Sequence, residues 1–91
     1  MPKLAVYKFL TFFIVSYDLS ERLHVHVNKA KGYNTRSAKI WLDSLEIFEK
    51  GDLTPKDLKM ALDILTLHQQ EFIEQINKFA KGEKISTLHL D

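Results

Sequence analysis

With 91 residues, the chain has length for a single domain, 1–91, and none for a second. Apolar residues at 45% and charged residues at 27% describe a folded globule rather than a disordered chain, and the absence of cysteine excludes disulfides, zinc–thiolate sites and thiol nucleophiles. The net charge of +1 is unevenly divided: residues 1–45 carry seven Lys/Arg against three Asp/Glu, net +4, and residues 46–91 six Lys against nine Asp/Glu, net −3.

A basic half attracts phosphate or an acidic protein, whereas two solvated faces that merely differ in sign attract neither strongly. A chain of this length buries only roughly 60–65% of its unfolded surface, so its core is thin and a partner can complete it. Met1–Lys3 followed by Phe9–Tyr17 loosely imitates a signal peptide, but Lys8 interrupts the run and no small-x-small site follows. The run is also far short of the ~20 residues that span a bilayer. The expected location is cytoplasmic, with no membrane contact.

Leu4–Phe9 and Thr11–Tyr17 are rich in β-branched and aromatic residues and predict two strands. The second is apolar on both faces, which predicts a central or interface position. Asp18–Glu21 reads as a turn. In Leu23–Val27, a period of two sends Val25 and Val27 to one face and His24 and His26 to the other. The polar stretch Lys29–Thr35, with Gly32 and Asn34, predicts a hairpin loop. Ala38–Leu42 alternates again, placing Ala38, Ile40 and Leu42 in the core and Lys39 and Trp41 opposite, and Leu45–Phe48 predicts a short last strand.

After Gly51-Asp52 the signal changes. Thr54 as cap, Pro55 at the first helical position and Asp57 in the first turn start a helix. Leu58, Leu62, Leu65, Phe72, Ile76 and Phe79 then recur every three or four residues until Gly82 stops it. A straight helix over 54–81 would measure about 40 Å, too long for a globule with a radius of gyration of about 12 Å, so it bends near His68-Gln69-Gln70 or projects. The expected fold is therefore α+β: a small, mostly antiparallel sheet of about four or five strands over residues 3–49. It packs against one long, kinked or projecting helix over 54–81, with an extended tail at 83–91.

His24-x-His26 is the sharpest candidate for chemistry. On a strand the two rings share a face about 6.5–7 Å apart along the chain, close enough to share a metal ion or to act as acid and base on a phosphodiester. A metal would need further ligands from His68, His89, Glu46 or Asp43, among which the sequence does not choose, and the plain alternative is a pair of packed strand histidines. Trp41 falls on the same face with Lys39, a combination that stacks bases or anchors a partner, or is simply covered. Arg22, Lys29, Lys31, Arg36 and Lys39, with Tyr33 among them, form a basic patch or a solvated loop. The candidate binding residues are Arg22, His24, His26, Lys29, Lys31, Arg36, Lys39 and Trp41. No phosphate loop, G-x-S-x-G, H-E-x-x-H or EF-hand spacing occurs, and nothing calls for a cofactor.

His24-Val25-His26-Val27, Ala38–Asp43, Leu67-His68-Gln69-Gln70-Glu71 and Gly82-Glu83-Lys84-Ile85 stand in that order along nearly the whole chain. In this the chain resembles the small prokaryotic proteins of domain-of-unknown-function family 4160. These begin Met-Pro and carry a P-P-H-x-H-V strand, a D/E-rich strand, a long helix with an H-Q-E-E-L-type segment and a G-K-P-type tail. Arg22-Leu23 replaces the family's proline pair, which puts any pocket shaped by those prolines in doubt, and the loop at Lys29–Thr35 is longer. The resemblance implies a gene beside a second small gene, as in toxin–antitoxin pairs, and carries over His24, His26 and His68 as candidate functional residues.

Three functions follow as expectations. The first is a small interaction protein of a two-gene, toxin–antitoxin-like module, binding a cognate small protein or itself, with RNA or DNA as a further ligand of the His/Trp face. The second is an RNase-like toxin using His24 and His26, although the reading leans away from an enzyme. The third is a structural adaptor of a larger assembly.

Overall fold

A computed structural model describes residues 3–14, 21–29 and 36–90. The remainder of the predicted second strand (15–17), the turn at 18–20 and the loop at 30–35, with Lys31 and Tyr33, lie outside the described residues. The elements in chain order are β1 (Lys3–Tyr7), β2 (Leu10–Phe13), β3 (His24–Lys29), β4 (Ala38–Trp41), β5 (Ile47–Glu49), α1 (Pro55–Leu67), α2 (Gln69–Ala80) and β6 (Leu88–His89). The fold is α+β, as a run of strand signals followed by a helix signal implies. Among the described residues no helix is long and apolar enough to cross a membrane.

The strands form one sheet in the order β5-β4-β3-β2-β1-β6, and every pairing is antiparallel except β1 with β6. β2 lies inside the sheet, and both of its faces are covered: Phe12 is fully buried on one and Phe13 is 7% exposed on the other. A sixth strand from the tail exceeds the expected four or five. β1 would otherwise be an edge with unsatisfied main-chain groups, and the Leu90 N–H donates to the Val6 carbonyl. Gln75 of α2, buried despite its amide, donates to the Ser86 carbonyl and ties the tail down.

One face of the sheet carries Ala5, Leu10, Phe12, Val25, Val27, Ala38 and Ile40, which join Ala61, Ile64, Leu65, Phe72 and Ile76 of the helices in a single core. Phe12 and Phe72 meet at 5.3 Å between ring centroids. Leu65, Phe72 and Ile76 belong to the three-and-four stripe read from sequence. Ala61 and Ile64 stand beside it, and Leu58, Leu62 and Phe79 of that stripe are only partly buried against the core.

The expected long helix bends at His68, one of the two alternatives its length allowed, and the bend is sharp enough to make two helices. α1 ends at Leu67, and His68, at φ −115°, caps it by donating its N–H to the Ile64 carbonyl. The molecule's longest axis is 33 Å, shorter than the about 40 Å a straight helix would need, so the break lets both halves lie on the sheet. Gln69, the gap in the apolar stripe, donates its amide to the Leu42 carbonyl and holds the junction against the end of β4.

The start of α1 is fixed by a capping box. Thr54 Oγ1 accepts from the Asp57 N–H at 3.1 Å, while Asp57 Oδ2 accepts from the Thr54 N–H at 2.9 Å. Asp57 is buried and also receives Lys29 Nζ at 2.6 Å, so the end of β3 is pinned to the first turn of α1. Desolvation pushes the Asp57 carboxyl up, but the Lys29 ammonium and the Thr54 donors outweigh it and hold the group below the usual carboxylate range. Before the cap, Gly51 has φ +55°, and a Cβ there would overlap the Arg36 and Ser37 main chain.

Two stability experiments follow. Gly51→Ala should lower unfolding stability by about 2 kcal/mol, from backbone strain and the overlap with Arg36, read as a drop in urea midpoint at constant slope. The Asp57 carboxylate, with its depressed folded pKa, stabilises the fold above the ordinary carboxylate range and loses that contribution as pH falls through the lowered value. Lys29→Met should therefore lower the midpoint at neutral pH and shrink the acid loss, because the folded Asp57 pKa rises toward its unfolded value and less stability remains to be lost. An unchanged acid limb would contradict the assigned role of Lys29.

Candidate functional site

The face turned away from the helices is set by cross-strand register. His24 stands opposite Trp41, His26 opposite Lys39, and Phe13 opposite His26. Because all are partners or second neighbours, their side chains emerge on one side. The rings form a continuous ladder across four strands. Centroids lie 5.4 Å apart from Phe13 to His26, 5.1 Å from His26 to His24, 5.8 Å from His24 to Trp41 and 5.2 Å from Trp41 to Phe48. Phe13 stacks on His26, and the other contacts are edge-on or steeply tilted, the arrangements aromatic pairs prefer.

The two histidines share a face but not an environment. His24 is 3% exposed, and its Nδ1–H donates to the Arg22 carbonyl at 2.7 Å, which sets the tautomer. His26 is only half-buried. A substrate arriving on this face therefore meets His26 and not His24, an unequal access that weakens the acid–base pairing of the two rings.

The segment before β3 lies beside the ladder. Arg22 is 4.7 Å from the Trp41 ring centre and forks onto Asp43, with Nη2 to Oδ1 at 2.9 Å and Nε to both oxygens at 3.0 and 3.1 Å. The hydrogen bond between the two groups holds the Asp43 carboxyl below its usual range and raises the Arg22 guanidinium above its own. Lys39 Nζ sits 5.0 Å from both the Trp41 and Phe48 ring centres and donates to Glu21 Oε2 at 2.9 Å. The two cations on the Trp41 ring, Arg22 and Lys39, are thus each already matched by a carboxylate.

The structure brings Arg22, His24, His26, Lys39 and Trp41 together. Lys29 belongs to the other side of β3, bound to Asp57, because it is an odd step from His24 and His26. Arg36, 83% exposed along its side chain, lies beyond the opposite end of β4 and donates its backbone N–H to Asp52 Oδ2 at 2.6 Å. Lys31 is outside the described residues. The basic patch inferred from sequence is therefore divided between faces, and what remains on the ladder is neutralised.

His68 stands in the helix layer, on the opposite side of the sheet, where its Nδ1–H donates to Glu71 Oε1 at 2.6 Å. His89 is on β6, beyond β1, and Asp43 is engaged by Arg22. Among the described residues no group of three His, Cys, Asp or Glu side chains is arranged to hold a metal ion. Sequence reading missed Phe13, Phe48 and Glu21 as members of the face. Phe13 and Phe48 were visible as strand aromatics, but only the register of β2 against β3 and of β5 against β4 says which rings touch.

Fold and site together define a small α+β domain whose open sheet face is an aromatic–histidine ladder flanked by neutral ion pairs. The chain belongs to the family described as a domain of unknown function (DUF4160), whose model matches residues 10–76. That span runs from β2 into α2 and contains the whole ladder, while β1 and β6 fall outside it. No curated protein and no solved structure matches the chain.

The coupling of Arg22 to Asp43 is directly measurable. In Arg22→Ala the Asp43 carboxyl should titrate at higher pH than in the parent, as followed by carboxyl-carbon NMR. An unmoved titration would show that the fork does not persist in solution.

Proposed function

We propose that the chain is a small interaction protein that docks a cognate protein on its ladder face, as one member of a two-gene, toxin–antitoxin-like module. The observation that supports this most is Phe48, which is 60% exposed at the end of a ladder in which Phe13 and His24 are buried. An aromatic rim on a rigid sheet is the usual anatomy of a protein-binding hot spot. The rim continues through the half-buried Trp41 and His26.

RNA or DNA has less support than a protein. Polyanions are held by cations that release counterions, and Arg22 and Lys39 are each committed to a carboxylate on the same face. A nuclease using both histidines also has less support, because His24 is enclosed. Self-association and a purely structural adaptor role use the same surface and separate by experiment.

Tagged protein should be co-expressed with the product of the adjoining small gene and purified. A stoichiometric complex with a raised unfolding midpoint is expected. Trp41→Ala and His26→Ala should each weaken it by at least about tenfold, the ordinary consequence of truncating a hot-spot side chain. A rigid lone monomer, unchanged in stability beside that neighbour, would overturn the reading. RNA cleavage by the wild type that disappears in both His24→Ala and His26→Ala would replace it with the nuclease.

A further inference from the structure

The Trp41–Phe48 end of the ladder face is acidic, the reverse of what the charge split of the sequence suggests. Arg22 and Asp43 cancel, as do Lys39 and Glu21, at 2.9 Å in each case. Two carboxylates are left over. Glu49 stands opposite Lys39 in the β4–β5 pairing, and the Glu46 carboxylate acts on the Arg22 guanidinium that lies over Trp41, so both border the Trp41–Phe48 pair. Both side chains are exposed, and among the described residues neither has a cation within ion-pair distance. The register of β5 against β4 shifts between Lys39 and Ile40, which places Phe48 and Glu49 as neighbours opposite the single residue Lys39.

The rings themselves already accept cations. Lys39 Nζ lies over both Trp41 and Phe48, and the Arg22 guanidinium lies over Trp41. An aromatic pair bracketed by carboxylates in excess of the nearby cations attracts ammonium or guanidinium groups by ring quadrupole and by charge. It repels phosphates on the second count.

We propose that the Trp41–Phe48 rim, with Glu46 and Glu49, docks a Lys/Arg-bearing apolar segment of a partner protein. The partner's cations meet Glu46 and Glu49, and its apolar side chains cover Phe48. This rests on the reading above that the face binds a protein, and it adds the chemistry of that protein. A nucleic acid, an acidic segment and a second copy of the chain become outcomes of the test.

The probe is a capped peptide, Arg-Leu-Arg-Leu-Arg-Leu, compared with its Glu-Leu counterpart and a 12-nucleotide single-stranded RNA. Binding to the full chain is read by amide-shift mapping and fluorescence anisotropy. The basic peptide should bind with shifts centred on residues 46–49, and should weaken several-fold as salt rises from 50 to 300 mM. Glu46→Gln with Glu49→Gln should cost about tenfold in affinity, and Phe48→Ala about tenfold separately. All three positions are exposed, and the amide spectrum reports whether each variant keeps its fold.

Several results would overturn the inference: equal or tighter binding of the acidic peptide or the RNA, no effect of the carboxamide pair, shifts confined to other surfaces, or no binding of the basic peptide. A dimer that buries Phe48 in the absence of peptide would also overturn it, by giving the rim to a second copy. The same carboxamide pair, tested on the co-purified complex, separates the two readings. If Trp41→Ala breaks that complex and the carboxamide pair does not, the inference fails and the reading stands; if no complex forms, the reading fails and the peptide data judge the rim alone.

Discussion

The pairing of β3 with its two neighbours is the constraint on which the rest of this molecule depends. A slip of one residue in that register would turn Val25 and Val27 out of the core and send both histidines into it. The register is held from both ends. Lys29 at the end of β3 is clamped to Asp57 in the first turn of α1, and His24 at its start is hydrogen-bonded to Arg22. The apolar face of the same strand is buried under the helices. One strand therefore serves both as core and as the support of the ladder.

The ladder is a consequence of that register and of charge cancellation around it. Arg22 and Lys39 lie on the Trp41 ring, and each is restrained by a carboxylate from another part of the chain. Such pairs at a partly exposed surface contribute little to stability, but they do fix where side chains rest. They order the segment before β3 against β4 and neutralise the two cations that lie on the Trp41 ring. The face that results is aromatic at its centre and acidic at one rim, a surface for protein contacts rather than for a phosphate backbone.

Much of the architecture is legible in local sequence. Alternation in Leu23–Val27 and Ala38–Leu42 identifies two strands and sorts their side chains correctly, and Thr54-Pro55 with Asp57 marks the start of α1. The apolar stripe identifies the buried side of α2 through Phe72 and Ile76, but in α1 only Leu65 of it is buried, with Ala61 and Ile64 taking the other core positions. The tail was not legible: Leu88-His89 is too short to show a period, and its strand exists because β1 offers a bare edge. The break at His68 carries no proline or glycine signal and follows from the size of the sheet that the helices must cover.

The candidate site divides along the same line. By itself the sequence determined that His24, His26, Lys39 and Trp41 share a side of the sheet, because strand geometry alternates with a period of two whatever the strand is paired with. Only the tertiary structure decided that Phe13 and Phe48 complete the ladder, that His24 is enclosed while His26 is half open, and that Lys29 and Arg36 stand elsewhere. Those facts depend on register between segments distant in sequence and on which carboxylate reaches which cation. Charge counted along a chain shows how many ions there are, and only packing shows which of them remain unmatched.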